Sequence, residues 1–139
     1  MTRRGLTFLL LAALAPAVFP QEPAAALRGV LGSAANGAPA VRLADGKLVY
    51  LEGDRETTAV IRDERLHGRD FEAAGSFTGP DRFRIAPRHT RAMWIREGGE
   101  RLSISYWCGV CSIRTYAPGI CMCCQEETEL ELRHEHEAR

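Results

Sequence analysis

Residues 106–126 read Y-W-C-G-V-C-S-I-R-T-Y-A-P-G-I-C-M-C-C-Q-E, and all five cysteines of the chain fall inside them. Cys108, Cys111, Cys121 and Cys124 make a C-x2-C-x9-C-x2-C array, with Cys123 left over. Two cysteines three positions apart on a tight turn aim both sulfurs at one point. Two such turns facing each other offer a tetrahedral four-sulfur site, which suits zinc, with a single iron the other candidate. Pro118-Gly119 supplies the turn that returns the second pair to the first. The spacer is shorter than the roughly 15–20 residues of the usual paired-knuckle pattern, yet it holds two short extended arms and a turn. Four thiolates around a divalent ion carry a net charge of about −2. Arg114 in the spacer is placed to offset part of it.

The same cysteines admit two other readings. An exported chain normally oxidises its thiols, so two disulfides with one free thiol are the plain alternative. The run Trp107-Cys108-Gly109-Val110-Cys111 also looks like the W-C-G-P-C redox motif of thioredoxins. In that fold the second cysteine opens a helix. Here Ser112 to Gly119 has no helical period, and too little chain follows Cys111 for the remaining strands and helices. The thioredoxin fold is rejected. Local dithiol or metal-handling chemistry through Cys108, Cys111 and Cys123 stays as the third reading.

The N-terminus points to export. Arg3 and Arg4 precede an apolar run from Leu6 to Val18, and Ala15-Pro16-Ala17 and Ala24-Ala25-Ala26 are small-residue cleavage patterns. Residues 1–17 read as a signal peptide, cleaved between 17 and 26, in a periplasmic or extracellular protein. The run is too short to span a bilayer, so no stable membrane span is expected after cleavage. Arg3-Arg4 also faintly resembles a twin-arginine export signal, which carries folded, cofactor-loaded proteins.

Residues 18–26 read as a tether, residues 27–133 as a single β-rich domain and residues 134–139 as a polar tail. Losing Arg3 and Arg4 leaves two fewer than the 18 basic residues against 18 acidic ones, and Lys47 is the sole lysine. That slight negative balance excludes a nucleic-acid partner, whose binding rests on phosphate contacts from a basic surface. It leaves a protein partner open.

Through the body of the chain the pattern is short strands. Arg28–Leu31 reads as a first strand, and Asp45-Gly46 between Val41–Leu43 and Lys47–Leu51 is a hairpin signal. Asp54 caps a helix that buries Val60 and Ile61 and stops at Gly68. Phe71, Ala73, Gly75 and Phe77 then alternate with polar or small residues, as do Phe83 and Ile85 with Arg82 and Arg84. A hairpin over Gly98-Gly99 follows, with Leu102, Ile104 and Tyr106 on one face and Ser103, Ser105 and Trp107 on the other. Thr128–Leu132 is the last strand. The fold class is therefore mainly β: a small barrel or half-barrel, OB-like, of six or seven short strands with one inserted helix and a C-terminal pair of cysteine knuckles.

Over residues 40–132 the chain resembles small uncharacterised secreted bacterial proteins. They pair a segment like D-G-K-x-x-x-L-E-G-D with one like Y-W-C-x-x-C-x-I-R-T-Y-x-P-G-x-C-x-C-C-Q-E, matched here at Asp45–Asp54 and Tyr106–Glu126. The resemblance brings no activity. Other candidate ligands are weaker. His134 and His136 share a strand face and could form a second metal site, but a solvated tail is the simpler reading. His67 and His89 read as surface turn residues, and Asp63 and Glu64 as ordinary helix-end charges. No phosphate loop, nucleophile elbow or H-E-x-x-H motif occurs. The function these residues support is that of an exported β-rich domain with a structural four-cysteine zinc site and no catalytic centre. The runner-up is a disulfide-stapled domain of the same fold that binds a partner.

Overall fold

The computed structural model describes residues 24–137. The expected signal peptide and residues 18–23 of the tether lie outside those residues.

The Asp45-Gly46 turn forms as its chemistry requires. Gly46 takes a φ of 86°, and the Asp45 carboxylate accepts the Lys47 backbone N–H at 2.9 Å. It joins β2 (Pro39–Arg42) to β3 (Leu48–Glu52) in an antiparallel pair. The first strand, β1, runs over Ala25–Ser33, longer than the sequence pattern suggested. Ala25 and Ala26 are paired with Gly75 and Ala74, so the tether ends two residues earlier than expected.

Asp54 caps the helix α1 (Arg55–Ile61), its carboxylate accepting the Thr57 N–H at 2.8 Å. Val60 and Ile61 are fully buried, as expected. The helix stops at Ile61 rather than near Gly68. Asp63 is extended, and its carboxylate accepts the Arg65 N–H, which starts a separate 3-10 turn over Glu64–Leu66. β4 (Asp70–Gly79) and β5 (Arg82–Ile85) follow as a hairpin.

These five strands close on themselves. The order is β1-β2-β3-β5-β4, and β4 returns to β1; every neighbour is antiparallel except β3 and β5. The result is a closed, OB-like barrel with α1 between its third and fourth strands. Leu27, Leu31, Val41, Val49, Leu51, Phe71 and Phe83 fill it, joined by Val60, Ile61 and Leu66. Two glycines permit the tight closure. A Cβ on Gly75 would lie 1.9 Å from the Arg84 carbonyl oxygen, and one on Gly29 would lie 2.3 Å from that of Arg42. The inward alternation of β4 ends early: Phe77 is 51% exposed and packs edge-on against Phe83 beside a bulge at Phe77/Gly79.

The total is nine strands among the described residues, not six or seven. β6 (Met93–Glu97) pairs with β4 and forms a hairpin with β7 (Glu100–Cys108). One edge of β7 carries β9 (Glu129–His134); the other carries β6 and then the short β8 (Ile113–Thr115). Leu102, Ile104 and Tyr106 of β7 face the core as the alternation predicted. β9 includes Arg133 and His134, so His134 belongs to the sheet and not to the tail. No helix among the described residues is long and apolar enough to cross a membrane.

Candidate metal centre

The two cysteine turns are built alike. In the first, Cys108 ends β7 and pairs with Ile113, and the Cys111 N–H donates to Cys108 Sγ at 3.4 Å. In the second, the Cys121 N–H donates to the Glu126 carbonyl at 2.7 Å, and the Gln125 N–H donates to the Cys121 carbonyl at 3.0 Å. The residue after the second cysteine is left-handed in both, Ser112 with φ 53° and Gln125 with φ 64°. Left-handed backbone is uncommon outside glycine, so finding it at matching places means both turns solve one geometric problem. Each curls the backbone around its own pair of sulfurs.

The sulfurs of Cys108, Cys111, Cys121 and Cys124 all lie within 4.8 Å of one another, close enough to hold a metal ion. Four sulfurs bound to one zinc at about 2.3 Å stand roughly 3.8 Å apart, so little contraction is required. Cys108 and Cys124 are already 3.5 Å apart, beyond the roughly 2.05 Å of an S–S bond. All five cysteines are free thiols. Cys123 lies outside the cluster and is exposed, as its spacing from Cys121 implied. Cys108 and Cys121 form the buried half of the site, and Cys111 and Cys124 the half-exposed rim.

The surroundings make the thiols unequal. Backbone N–H groups of Cys124 and then Cys123 point at the Cys121 sulfur and lower its pKa to about 7. The Cys123 thiol beside Cys111, then desolvation, pushes Cys111 well above its usual range. For Cys124 the Glu126 backbone N–H favours the thiolate, but desolvation and the Cys108 thiol outweigh it and the net shift is upward. A bound cation would favour all four thiolates together.

Arg114 does not supply the charge balance expected of it. Its guanidinium donates to Glu131 at 3.0 Å and stacks over Trp107, 4.9 Å from the ring centre. That pairing follows from β8 lying antiparallel on β7, which puts Arg114 opposite Trp107. The neutralising groups are instead backbone N–H dipoles.

The cysteine hairpins are anchored to the barrel by residues the sequence reading passed over. The Tyr106 hydroxyl donates to Asp63 at 2.9 Å. Arg65 grips Asp63 at 2.8 Å and donates to the Thr128 carbonyl at 3.0 Å. Thr128 in turn donates to the Gly119 carbonyl through its hydroxyl at 2.8 Å. Desolvation opposes a charge on Asp63, but hydrogen bonds from Arg65 and Tyr106 win and hold its carboxyl below the usual range. Burial, then the Asp63 charge, drives the Tyr106 phenol far above its ordinary value. The one signal available in the sequence was a tyrosine hydroxyl on a core-facing register, which must find a partner.

The histidines fall outside the cluster. His134 and His136 stack at 5.4 Å, and His134 Nδ1 lies 2.7 Å from Glu100, but no third ligand group converges on them among the described residues. His67 Nε2 lies 3.1 Å from the Ile61 carbonyl. His89 is buried, not a surface turn residue, with Nε2 2.7 Å from the Tyr116 carbonyl. Compared with protein-family models, curated proteins and solved structures, the chain matches none of them, and the centre is read on its geometry alone.

Proposed function

We propose that the protein is an exported, single-domain, β-rich module whose four cysteines hold zinc as a structural clamp. The carrying observation is the convergence of Cys108, Cys111, Cys121 and Cys124 on one point from two turns of matching geometry. Four protein sulfurs complete a tetrahedral shell and leave no open position for substrate, which is the mark of structural rather than catalytic zinc. The clamp closes the C-terminal end of β7 against the segment leading into β9. The clamped hairpins present Val110, Ile120 and Met122, all largely exposed, which supports a protein partner at that end.

The test is elemental analysis with thiol counting on protein recovered from its own compartment. One zinc per chain, with four thiols masked until a chelator is added, is the expected result. Few free thiols and no metal would establish the disulfide-stapled domain instead. Reversible dithiol oxidation with turnover of a test disulfide would establish the redox reading. Mass spectrometry of the same sample should find the mature N-terminus between Val18 and Leu27; retention of residues 1–17 removes the export claim.

A further inference from the structure

β7 has a gap along one edge. β6 covers it as far as Ser103, β8 takes over only at Tyr106, and Ile104 and Ser105 have no strand partner on that side. A cleft of about 660 Å³ opens there, with Thr90, Arg91, Trp94, Ser103 and Tyr116 around it. A second hollow of about 470 Å³ continues past Tyr116 and Thr90 to Arg88 and Thr115. Cavities of this size take small organic ligands.

Three features make the cleft more than a surface irregularity. First, its walls are held in place. Arg101 stacks on Trp94, 4.4 Å from the ring centre, and is itself bound by Glu72. His89 anchors the 3-10 turn His89–Arg91 through the Tyr116 carbonyl. Second, that turn is entered through Arg88 at φ 67° and ψ 66°, left-handed backbone on a residue with no glycine freedom. Such strain persists only where the surrounding fold imposes it, and it concentrates at binding sites. Third, eight arginines form ion pairs with carboxylates; among the described residues Arg42, Arg55, Arg62, Arg88, Arg91 and Arg133 do not, and of these Arg91 lines the larger hollow and Arg88 the smaller. The acidic groups nearby do not meet that need. Glu56 faces His89 Nδ1 at 3.6 Å, and Glu135 also lines the larger hollow.

We propose that this cleft binds a small aromatic carboxylate. The carboxylate pairs with Arg91, with Arg88 adding to the positive field. The ring packs between Trp94 and Tyr116, and Thr90 offers a hydroxyl to polar substituents, whereas the Ser103 hydroxyl already donates to the Arg133 carbonyl. Glu135, which also lines the cleft, disfavours a second negative charge. The cleft lies apart from the four sulfurs, but Tyr116 belongs to the cysteine hairpins, so the site rests on the proposed clamp being in place.

Amide NMR titration of the metal-loaded protein tests this. The probes are indole-3-acetate and 4-hydroxyphenylacetate, each against its neutral amide. The acids should shift the amides of Thr90, Arg91, Ser103 and Ile104 saturably and bind at least about tenfold more tightly than the amides, the worth of one charged hydrogen bond. Arg88→Gln with Arg91→Gln, both at exposed positions, should abolish the preference for acid, and Tyr116→Ala should weaken both probe classes. No saturable shift with either acid, shifts mapping elsewhere, equal affinity for acid and amide, or a preference that survives the arginine changes would each overturn the proposal.

Discussion

The barrel and the cysteine hairpins are held by different physics. The barrel closes around a continuous apolar core in which Leu31, Val41, Val49, Phe71 and Phe83 are almost wholly buried. The hairpins between Cys108 and Glu127 bury almost nothing apolar besides Cys108 and Cys121. Val110, Ile113, Tyr116, Ile120 and Met122 all stand exposed there. Apolar burial contributes roughly 25 cal/mol per Å², so the first region has a large internal source of stability and the second has none of comparable size. What the hairpins have is a point of four converging sulfurs. One chain therefore contains a region that folds around carbon and a region whose order, on the proposed reading, comes from an ion held by four sulfurs.

The largest effect should come from removing that ion. Structural zinc in small cysteine sites is worth on the order of 10–16 kcal/mol in apparent binding free energy near neutral pH. Chelation, or Cys121→Ser, should strip hydrogen-exchange protection from the hairpins while amides around Phe71 and Phe83 stay protected. Simultaneous loss in both regions would show that they are one cooperative unit. Loss with reductant but not with chelator would mean disulfides hold the hairpins.

The converse change is Phe71→Ala, which empties the centre of the barrel and should cost about 3–5 kcal/mol. The denaturant midpoint should fall, and metal affinity measured on the folded fraction should hold. A parallel fall in metal affinity would break the distinction from the other side.

A smaller effect belongs to the joint between the regions. Asp63→Asn weakens the hydrogen bonds to Tyr106 and Arg65 and should cost about 1.5–3 kcal/mol at neutral pH. The sign of the pH dependence follows from the depressed carboxyl. A carboxylate with a lowered folded pKa contributes fully above its unfolded value of about 3.9 and loses that contribution as pH falls through the folded value. The gap between wild type and variant in urea midpoint should thus be wide at pH 7 and narrow at pH 3. An equal gap at both would mean that the charge on Asp63 is irrelevant.

The smallest effect is expected at Cys123. Cys123→Ser should leave metal content intact and stability within about 0.5 kcal/mol, as at ordinary surface positions. Cys124→Ser should lose both. The reverse outcome would place Cys121 and Cys123 together as ligands and redraw the second turn.

Much of this division was legible in the residues. The cysteine spacing singled out the four clustered sulfurs, because a two-residue gap is a local property of a turn. Asp54, the Asp45-Gly46 turn and the alternation in β5 and β7 were legible for the same reason: each is decided within a few neighbours. The early end of α1 was not, since Asp63 spends its carboxylate on the next turn and on Tyr106, and the latter is a tertiary contact. Nor was the exposure of Phe77, which depends on where β4 leaves the barrel. Arg114 was misread because its partners, Glu131 and Trp107, reach it only through the pairing of β7 with β8 and β9. The cleft was invisible for a similar reason. It is made by two strands that fail to meet.

The parallel pair of β3 and β5 has a consequence for how the chain is made. Leu51 pairs with Phe83, so β3 must wait for α1, the 3-10 turn and all of β4 before its neighbour exists. Non-local pairings of this kind are slow to form because loop closure comes before any reward. During vectorial synthesis the β2–β3 hairpin therefore emerges with an unpaired edge carrying Val49 and Leu51 on its inner face. That interval is when the nascent chain is most exposed to pairing with another copy of itself.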